Sequence, residues 1–540
     1  MNTPPPSLLR QGLEAAENGD FARADAIARA LLTQNPNDAH GFQIAGFSAY
    51  RQGDRQKALE SFWRANRAAP GQPALLYWLG VLFRERGDFI QAERAFREAV
   101  QNAPLYGDAL CSLGETLFHL NRKEEAQSIF EKAIEAEPSS SAVLARAARF
   151  FDVIHDAAQS RALAERAVLL NPADEIARIA LLEIHLRAGR FGEVLSGVAP
   201  LLKDGADCNQ RSQARLYHLA ATAQDKLGDY AAAFQSYKAS NRLRSLLDRD
   251  IAAKAPTPLQ TDNLERIIRW TKSSEPASWE RPAGLQGPAP VFLLGFVRSG
   301  TTWLDQILSS HPLAAVMEEE DLLVDSWRDL LITDEGLARL PSLPIDDINR
   351  QRAAYWARAD KALGGMKGKP VIVDKLPLNT ANLPLIWRLF PDAKIIFALR
   401  DPRDAVFSAF QQYFQVNAGM AHFLDLTAAA TFYDRVMTIG ASMREKAPLA
   451  LYEIRYETLV ADFDGEIRKL LAFLGLDWDD SVQNYQETAK RRAVRTPSAK
   501  QVIEKPFSTS IGKWRRYRDG MAPALPILAP WVEKFGYDPD

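Results

Sequence analysis

Apolar and polar positions follow two different patterns along the 540-residue chain. Up to about residue 248, small apolar residues, aromatics and prolines recur every 34 positions. From Pro290 onward, short apolar runs alternate with helical stretches. The first pattern predicts an all-α solenoid, and the second predicts an α/β domain with a mostly parallel sheet and helices on both faces. The chain is therefore expected to have at least two domains.

The repeating half shows the same residue types at the same step. The recurring positions are Pro36, Pro70, Pro104, Pro138 and Pro172; Gly46, Gly80 and Gly114; Ala24, Ala58, Ala92 and Ala126; and Phe62, Phe96 and Phe130. Turn pairs such as Gly53-Asp54 mark the middle of each unit. This period, with small residues where helices meet and proline at the exit, resembles the tetratricopeptide family. About seven two-helix units are expected over residues 1–248, the last two irregular.

The second half begins after a connector at residues 249–289, which is broken by prolines and glycines and holds one short helix near Asn263 to Lys272. Residues 290–540 then form the predicted α/β domain. Its expected strands are Val291–Leu294, Pro370–Val373, Lys394–Leu399 and Ala450–Ile454. Because ligands bind beyond the carboxyl ends of parallel strands, the residues that follow each strand are the candidates for chemistry.

The loop after the first strand predicts an anion site. Gly295 and Gly300 bracket it, and a helix is expected from about Thr301 to Ser310. Free N–H groups and the helix dipole would then face the same point. The glycine spacing is that of a Walker A loop, but Thr301 occupies the lysine position and the nearest cation is Arg298. A nucleotide triphosphatase needs that lysine, so a phosphate or sulfate ligand other than a Mg²⁺-bound triphosphate is favoured.

Further polar groups follow the later strands: Lys375; Arg400 with Ser408 eight residues on; Tyr456; and, near the end, Ser498 and Lys513. Several also have a structural interpretation, and Tyr456 could begin a helix over the core. Lys375 could be a surface cation, Arg400 could pair with Asp401 or Asp404, and Lys513 could lie in a solvated basic turn.

Taken in order, these motifs resemble the sulfotransferases that use 3′-phosphoadenosine-5′-phosphosulfate (PAPS), over about 250 residues. The loop Arg298-Ser-Gly-Thr-Thr is similar to their 5′-phosphosulfate loop, and Arg400 to Ser408 to their 3′-phosphate motif. The acidic run Glu318-Glu319-Glu320, Lys375 and Ser498 resemble the tyrosylprotein branch and its bacterial, tetratricopeptide-linked relatives.

The resemblance implies a role for each residue. A base must take the acceptor proton, and cations must stabilise the sulfuryl group and the leaving phosphate. The implied catalytic residues are Glu319, Lys375, Arg298 and Ser498, with Glu318 and Glu320 left open as the base. The implied donor-binding residues are Arg298, Ser299, Gly300, Thr301, Thr302, Arg400, Ser408, Tyr456 and Lys513. No metal is expected.

Bulk properties narrow the remaining choices. The formal net charge of −2 gives no reason to expect nucleic acid. Two distant cysteines, Cys111 and Cys208, and no visible signal peptide or membrane span favour the cytoplasm. The repeats are expected to bind a protein or peptide acceptor or a partner; bracing the enzyme and forming a homodimer remain open.

The leading hypothesis is transfer of a sulfuryl group to a protein tyrosine. A glycan, lipid or small-molecule hydroxyl is the alternative acceptor. A P-loop phosphotransferase and a catalytically dead interaction protein are competing hypotheses for the function as a whole.

Overall fold

The structure is a computed structural model, and it describes residues 7–203, 208–249, 257–365, 368–487 and 508–540. The chain divides into two compact units, Met1–Val194 and Leu195–Asp540. None of the helices in these described ranges has the length and apolar character needed to cross a bilayer.

The first unit consists of helical hairpins. Its helices, with the twelfth running to Val198, are α1 Leu8–Glu17, α2 Phe21–Gln34, α3 Ala39–Arg51, α4 Arg55–Ala68, α5 Pro73–Glu85, α6 Phe89–Asn102, α7 Gly107–His119, α8 Lys123–Ala136, α9 Ser141–Val153, α10 Ala157–Leu170, α11 Glu175–Arg187 and α12 Phe191–Val198. This solenoid confirms the predicted all-α array.

The Gly-Asp turns build each hairpin. Gly53 has φ +82°, a conformation that costs other residues more than glycine, and it follows the end of α3. The Asp54 carboxylate then accepts a hydrogen bond from the Lys57 N–H at 3.0 Å and caps α4. Asn121 and His155 take the glycine position in later units with φ of 60° and 68°.

Close contact between the two helices of a hairpin depends on a glycine opposite a phenylalanine. A Cβ added at Gly80 in α5 would lie 2.6 Å from Phe96 Cε1 in α6. The same pairing joins Gly46 to Phe62 and Gly114 to Phe130. The 34-residue step of these residues therefore reflects direct packing.

Within the described residues, the second unit contains a five-stranded parallel sheet in the order β2-β3-β1-β4-β5. Its strands are β1 Val291–Gly295, β2 Ala314–Glu318, β3 Val371–Lys375, β4 Lys394–Leu399 and β5 Ala450–Arg455. The four predicted strands are confirmed: β4 has the predicted bounds, and the ends of the other three differ by at most two residues. The prediction missed β2, whose short run follows His311-Pro312 and ends in the acidic cluster. Consequently Glu318 and Lys375 end strands rather than follow them.

Helices make up most of the rest of this unit in its described residues. They are α13 Gln210–Leu227, α14 Tyr230–Leu247, α15 Thr261–Ser273, α16 Thr301–Ser310, α17 Val324–Leu330, α18 Asp334–Arg339, α19 Ile345–Leu363, α20 Leu383–Leu389, α21 Pro402–Phe410, α22 Leu426–Lys446, α23 Tyr456–Ala461, α24 Phe463–Leu474, α25 Arg518–Met521 and α26 Leu525–Lys534. Short 3₁₀ turns occur at Ala199–Leu201, Pro276–Ser278, Leu340–Ser342, Pro377–Asn382, Met420–Leu424, Asp480–Val482, Ser508–Ser510 and Lys513–Tyr517.

Two features of this unit position the site. Strand β1 lies between β3 and β4, so the loops that follow these three parallel strands lie next to one another at the carboxyl ends of the strands. This is the usual place for a ligand in such sheets. The helix pair α13–α14, which the sequence assigned to the repeat array, belongs to the same compact unit as the sheet.

Replacing Gly80 by alanine should lower the stability of the solenoid, because the new methyl group would press on the Phe96 ring. Overpacking of this kind costs roughly 1–3 kcal/mol, and scanning calorimetry should show a lower melting temperature. Gly192→Ala is the matched control, since a Cβ there has no other atom within 4 Å. Equal stability of the two variants would contradict the packing account.

Candidate functional site

The loop after β1 is shaped by two glycines. Gly295 has φ +144°, and a Cβ there would lie 2.4 Å from the carbonyl oxygen of Ala398. Gly300 has φ +90°, caps α16, and lies so close to Tyr456 that a Cβ would approach its ring to 2.8 Å. The backbone therefore turns tightly into α16, and the glycine at the cap position leaves the first N–H groups of that helix without a side-chain cap. This is the geometry of an anion-binding helix N-terminus.

Arg298 and Arg400 lie close to each other near the N-terminus of α16. Arg298 donates from Nε to Ser408 Oγ at 3.0 Å, and Arg400 donates from Nη1 to the Arg298 carbonyl oxygen at 3.1 Å. Burial and the neighbouring charge of Arg400 lower the pKa of Arg298 to about 10. Within the described residues, Arg400 Nε is buried and has no hydrogen-bond partner. Two adjacent, partly desolvated cations favour a bound anion.

Tyr456 connects the loops that follow β1, β4 and β5. The Arg400 guanidinium lies 4.8 Å from the Tyr456 ring centroid, within cation–π range. The Tyr456 hydroxyl is 3.2 Å from Ser510 Oγ, and Arg400 Nη2 donates to the Ser510 carbonyl oxygen at 2.6 Å. The ring and the guanidinium therefore hold each other in place.

These groups surround a cavity of about 660 Å³. Its lining includes eight of the predicted donor-binding residues, namely Arg298, Gly300, Thr301, Thr302, Arg400, Ser408, Tyr456 and Lys513. Ser299 is buried within the loop and does not line the cavity. Ser498 lies outside the described residues.

Lys375 and the acidic run form a second cluster. Lys375 is fully buried at the end of β3, and its Nζ lies 2.9 Å from Glu319 Oε1, 3.7 Å from Glu318 Oε1 and 3.8 Å from Asp305 Oδ2. Glu319 has φ +53°, and its N–H donates to the Lys375 carbonyl oxygen at 2.9 Å. The Lys375 ammonium is therefore surrounded by carboxylates.

The exposure of these carboxylates differs. The side chain of Glu319 is 44% exposed and that of Glu318 only 12%. Glu320 is also exposed. The negative charge of Glu319 acts to raise the pKa of Arg298, but neither Lys375 nor Glu319 lines the cavity. Glu319 combines solvent access with a fixed cationic partner.

Asp374 precedes Lys375 and points to the opposite face of the strand. The Tyr355 hydroxyl donates to Asp374 Oδ2 at 3.1 Å, and burial raises the pKa of this carboxyl to about 7. Asp374 is buried beside α19, which carries Tyr355, and it does not line the cavity.

Sequence reasoning missed part of the cavity wall. His218, Thr222 and Asp225 of α13 line it, as does Gln411. In the sequence, the only sign that the helix pair α13–α14 differs from the other repeats was the loss of the 34-residue period. In the structure, α13 and α14 have 18 residues each, whereas the helices from α3 to α10 have 13 or 14.

The pairing of Arg400 with Asp401, one structural interpretation of the sequence, is wrong. Asp401 instead forms an ion pair with Arg403 at 2.8 Å. Asp404 accepts hydrogen bonds from the N–H groups of Gly512 at 2.6 Å and Trp514 at 2.9 Å. It thereby fixes the segment that carries Lys513.

Two known families match different parts of the chain. Residues 290–480 match the sulfotransferase family, and residues 45–89, 77–141 and 214–245 match tetratricopeptide repeats. Among the described residues, no group of three or more His, Cys, Asp or Glu is arranged to hold a metal ion.

Individual relatives are distant. A protein of Aquifex aeolicus is 26% identical over 489 residues, which are 88% of this chain and 62% of that protein. Protein-tyrosine sulfotransferase A of Caenorhabditis elegans is 23% identical over 264 residues, 46% of this chain and 67% of that protein. A crystal structure of a tetratricopeptide repeat protein from Parabacteroides merdae is matched with a TM-score of 0.36 and 18% identity, over 44% of this chain and 91% of that one.

The raised pKa of Asp374 predicts a pH-dependent stability. An unfolded aspartate ionises near pH 4, so between about pH 4 and pH 7 the folded state binds more protons and its stability falls as pH rises. Asp374→Asn should lack this loss. Its melting temperature relative to the unsubstituted protein should therefore be higher at pH 8 than at pH 5.

The control for this experiment is Asp346→Asn, which changes an exposed aspartate in the first turn of α19. The difference in melting temperature between Asp346→Asn and the unsubstituted protein should be the same at pH 5 and at pH 8. Parallel pH profiles for Asp374→Asn and the unsubstituted protein would show that Asp374 is ionised in the folded state.

Proposed function

We propose that this chain, in which a sulfotransferase-family domain is joined to tetratricopeptide repeats, transfers a sulfuryl group from PAPS to an acceptor hydroxyl. The observation that carries the proposal is the cavity in which Arg298, Arg400 and Ser408 meet the N-terminus of α16. Such a cavity suits a ligand with more than one anionic group.

The residues present fit PAPS at both ends. The N–H groups and hydroxyls of residues 299–302 suit the 5′-phosphosulfate, as at other helix N-termini. Arg400 and Ser408 are assigned to the 3′-phosphate, and the Nε of Arg400, which has no hydrogen-bond partner in the described part of the chain, is the donor that this phosphate would satisfy. Tyr456 is assigned to pack against adenine.

The chemistry is assigned to the second cluster and to Arg298. The donor supplies an activated sulfuryl group, whose sulfur forms a bond to the acceptor oxygen as its bond to the phosphate oxygen breaks. Glu319 accepts the proton that the acceptor hydroxyl loses. Arg298 and Lys375 stabilise the negative charge that develops on the sulfuryl oxygens and on the leaving phosphate. Ser498 is proposed as a further donor to that charge.

Lys375 also explains why one carboxylate of the acidic run would act as the base. Its ammonium lies closer to Glu319 than to Glu318, at 2.9 Å against 3.7 Å, and Glu319 is the more exposed of the two. An acceptor can therefore reach Glu319, while Lys375 fixes the orientation of its carboxylate. The proposal includes no metal, because Thr301 replaces the lysine of Mg²⁺-nucleotide loops.

The acceptor is proposed to be a protein tyrosine, as the names of several relatives suggest by analogy. The solenoid α1–α12 is proposed to hold the acceptor or a partner protein, as extended helical arrays commonly do. The cytoplasm is the proposed compartment. Incubation with ³⁵S-labelled PAPS and a cell extract, followed by separation of protein, glycan and lipid fractions, tests the acceptor class. Label recovered from the protein fraction as tyrosine sulfate would support the proposal, and label confined to glycan or lipid would contradict it.

The two-anion cavity predicts selective nucleotide binding. Adenosine 3′,5′-bisphosphate should raise the melting temperature by mass action, and AMP should do so far less. Ser408→Ala should weaken bisphosphate binding about 10-fold, the cost of one hydrogen bond to a charged group. It should leave AMP binding nearly unchanged in calorimetric titrations.

Ser442→Ala is the control for Ser408→Ala, because the Ser442 hydroxyl contacts the Thr271 carbonyl oxygen in the same unit but does not line the cavity. Equal melting shifts from AMP and the bisphosphate would remove the assignment of the 3′-phosphate.

Glu319→Gln should lower turnover by roughly 10²-fold or more, as expected for loss of a general base. Binding of the bisphosphate, measured by titration, should change little because Glu319 does not line the cavity. Glu320→Gln is the matched control in the same acidic run and should remain active. If Glu318→Gln or Glu320→Gln abolishes turnover and Glu319→Gln does not, the base is that residue.

A further inference from the structure

One wall of the cavity comes from a helix of the repeat type. The residues of α13 that form this wall are spaced one or two helical turns apart. They are His218, Thr222 and Asp225, and they line the cavity together with Arg298 and Arg400. Helices α13 and α14 match a tetratricopeptide repeat over residues 214–245. Yet they belong to the compact unit that contains the sheet.

The pair α13–α14 is fixed to the sulfotransferase domain at several points. Asn241 Nδ2 donates to the carbonyl oxygen of Phe410 at 2.9 Å, and the ring of Phe234 packs on that of Phe410 at 5.8 Å. The Tyr230 ring lies 5.3 Å from the Tyr517 ring. These contacts reach α21 and the segment that follows Gly512, the two elements that carry Ser408 and Lys513.

Asp225 connects α13 to Lys513, which also lines the cavity. Its carboxylate, 9% exposed, lies 2.9 Å from Lys513 Nζ and also accepts a hydrogen bond from the Tyr517 hydroxyl. Lys513 Nζ donates in addition to Gln411 Oε1 at 3.2 Å. Gln411 is three residues beyond Ser408, so the ammonium is held on the Ser408 side of the cavity.

The charges around Lys513 explain why it needs this partner. Lys226 and Arg516 also line the cavity, and burial together with their positive charges lowers the pKa of Lys513, whereas Asp225 opposes that shift. Without Asp225, a half-buried ammonium would face these two cations without its ion-pair partner. It would then turn away to solvent or lose its proton.

We propose that Asp225 is a positioning residue that holds Lys513 for the 3′-phosphate of the donor, so that the helix pair α13–α14 is part of the donor site. This inference rests on the proposed function, because it takes the cavity to bind PAPS. The last repeat-type hairpin then serves the nucleotide, while acceptor or partner binding belongs to the solenoid α1–α12.

The test uses the full-length protein with Asp225→Asn, Lys513→Met and the double variant. Asp225→Asn should weaken adenosine 3′,5′-bisphosphate about 10-fold, as one charge-assisted hydrogen bond to phosphate requires. AMP affinity should stay within about 2-fold. The KM for PAPS should rise by the same factor as the bisphosphate dissociation constant, with kcat changed less than about 3-fold. The double variant should be no weaker than Lys513→Met, because Asp225 acts through Lys513.

Asp229→Asn is the matched control. It removes an exposed aspartate four residues away, and asparagine retains the N-cap that Asp229 gives α14. Tyr517→Phe removes a second donor to Asp225 and gives another test, with an expected weakening of about 2- to 5-fold, should Asp225→Asn prove unstable.

Four outcomes overturn the inference. Unchanged or tighter bisphosphate binding by a folded Asp225→Asn would show that Asp225 does not position Lys513. Equal loss of AMP and bisphosphate, or losses that add in the double variant, would give Asp225 a purely structural role. If the unsubstituted protein binds no bisphosphate, the proposed function fails and the inference fails with it.

Discussion

The candidate site depends on one electrostatic constraint, the placement of Arg298 and Arg400 side by side in a partly buried cavity. Burial disfavours the charged Arg298 guanidinium, and the positive charge of Arg400 adds to the cost, which is why the pKa of Arg298 falls to about 10. The N-terminus of α16 adds more positive potential at the same place. A bound polyanion would offset this repulsion, so the surroundings of the two arginines suit a ligand with more than one anionic group.

The fold brings the arginines together through the order of its strands. Because β1 lies between β3 and β4, Arg298, Lys375 and Arg400 reach one edge of the sheet from three separate loops or strand ends. Local apolar runs and glycine spacing were enough to predict those strands and the tight turn that leads from β1 into α16. Strand β2 was missed because its five residues closely follow a proline and merge with the acidic cluster.

The remaining parts of the site could not be predicted from the sequence because they arise from long-range contacts. Lys513 and Asp225 are separated by 288 positions, and Lys375 and Glu319 by 56. A repeating pattern in the sequence does not indicate which residues this far apart come into contact. The weakened repeat in α13–α14 was visible, yet only packing against α21 shows that this hairpin lines the cavity. The division at Val194 and Leu195 therefore separates a regular solenoid from a unit that includes one repeat-type hairpin.

The central claim is that the cavity binds a nucleotide with phosphates at both its 5′ and 3′ positions. A crystal structure of the protein with adenosine 3′,5′-bisphosphate tests it most directly. The account predicts the 5′-phosphate on the backbone N–H groups of residues 299–302 and the 3′-phosphate within hydrogen-bond distance of Arg400 and Ser408. A bisphosphate bound elsewhere, or with its 3′-phosphate in solvent, would contradict it.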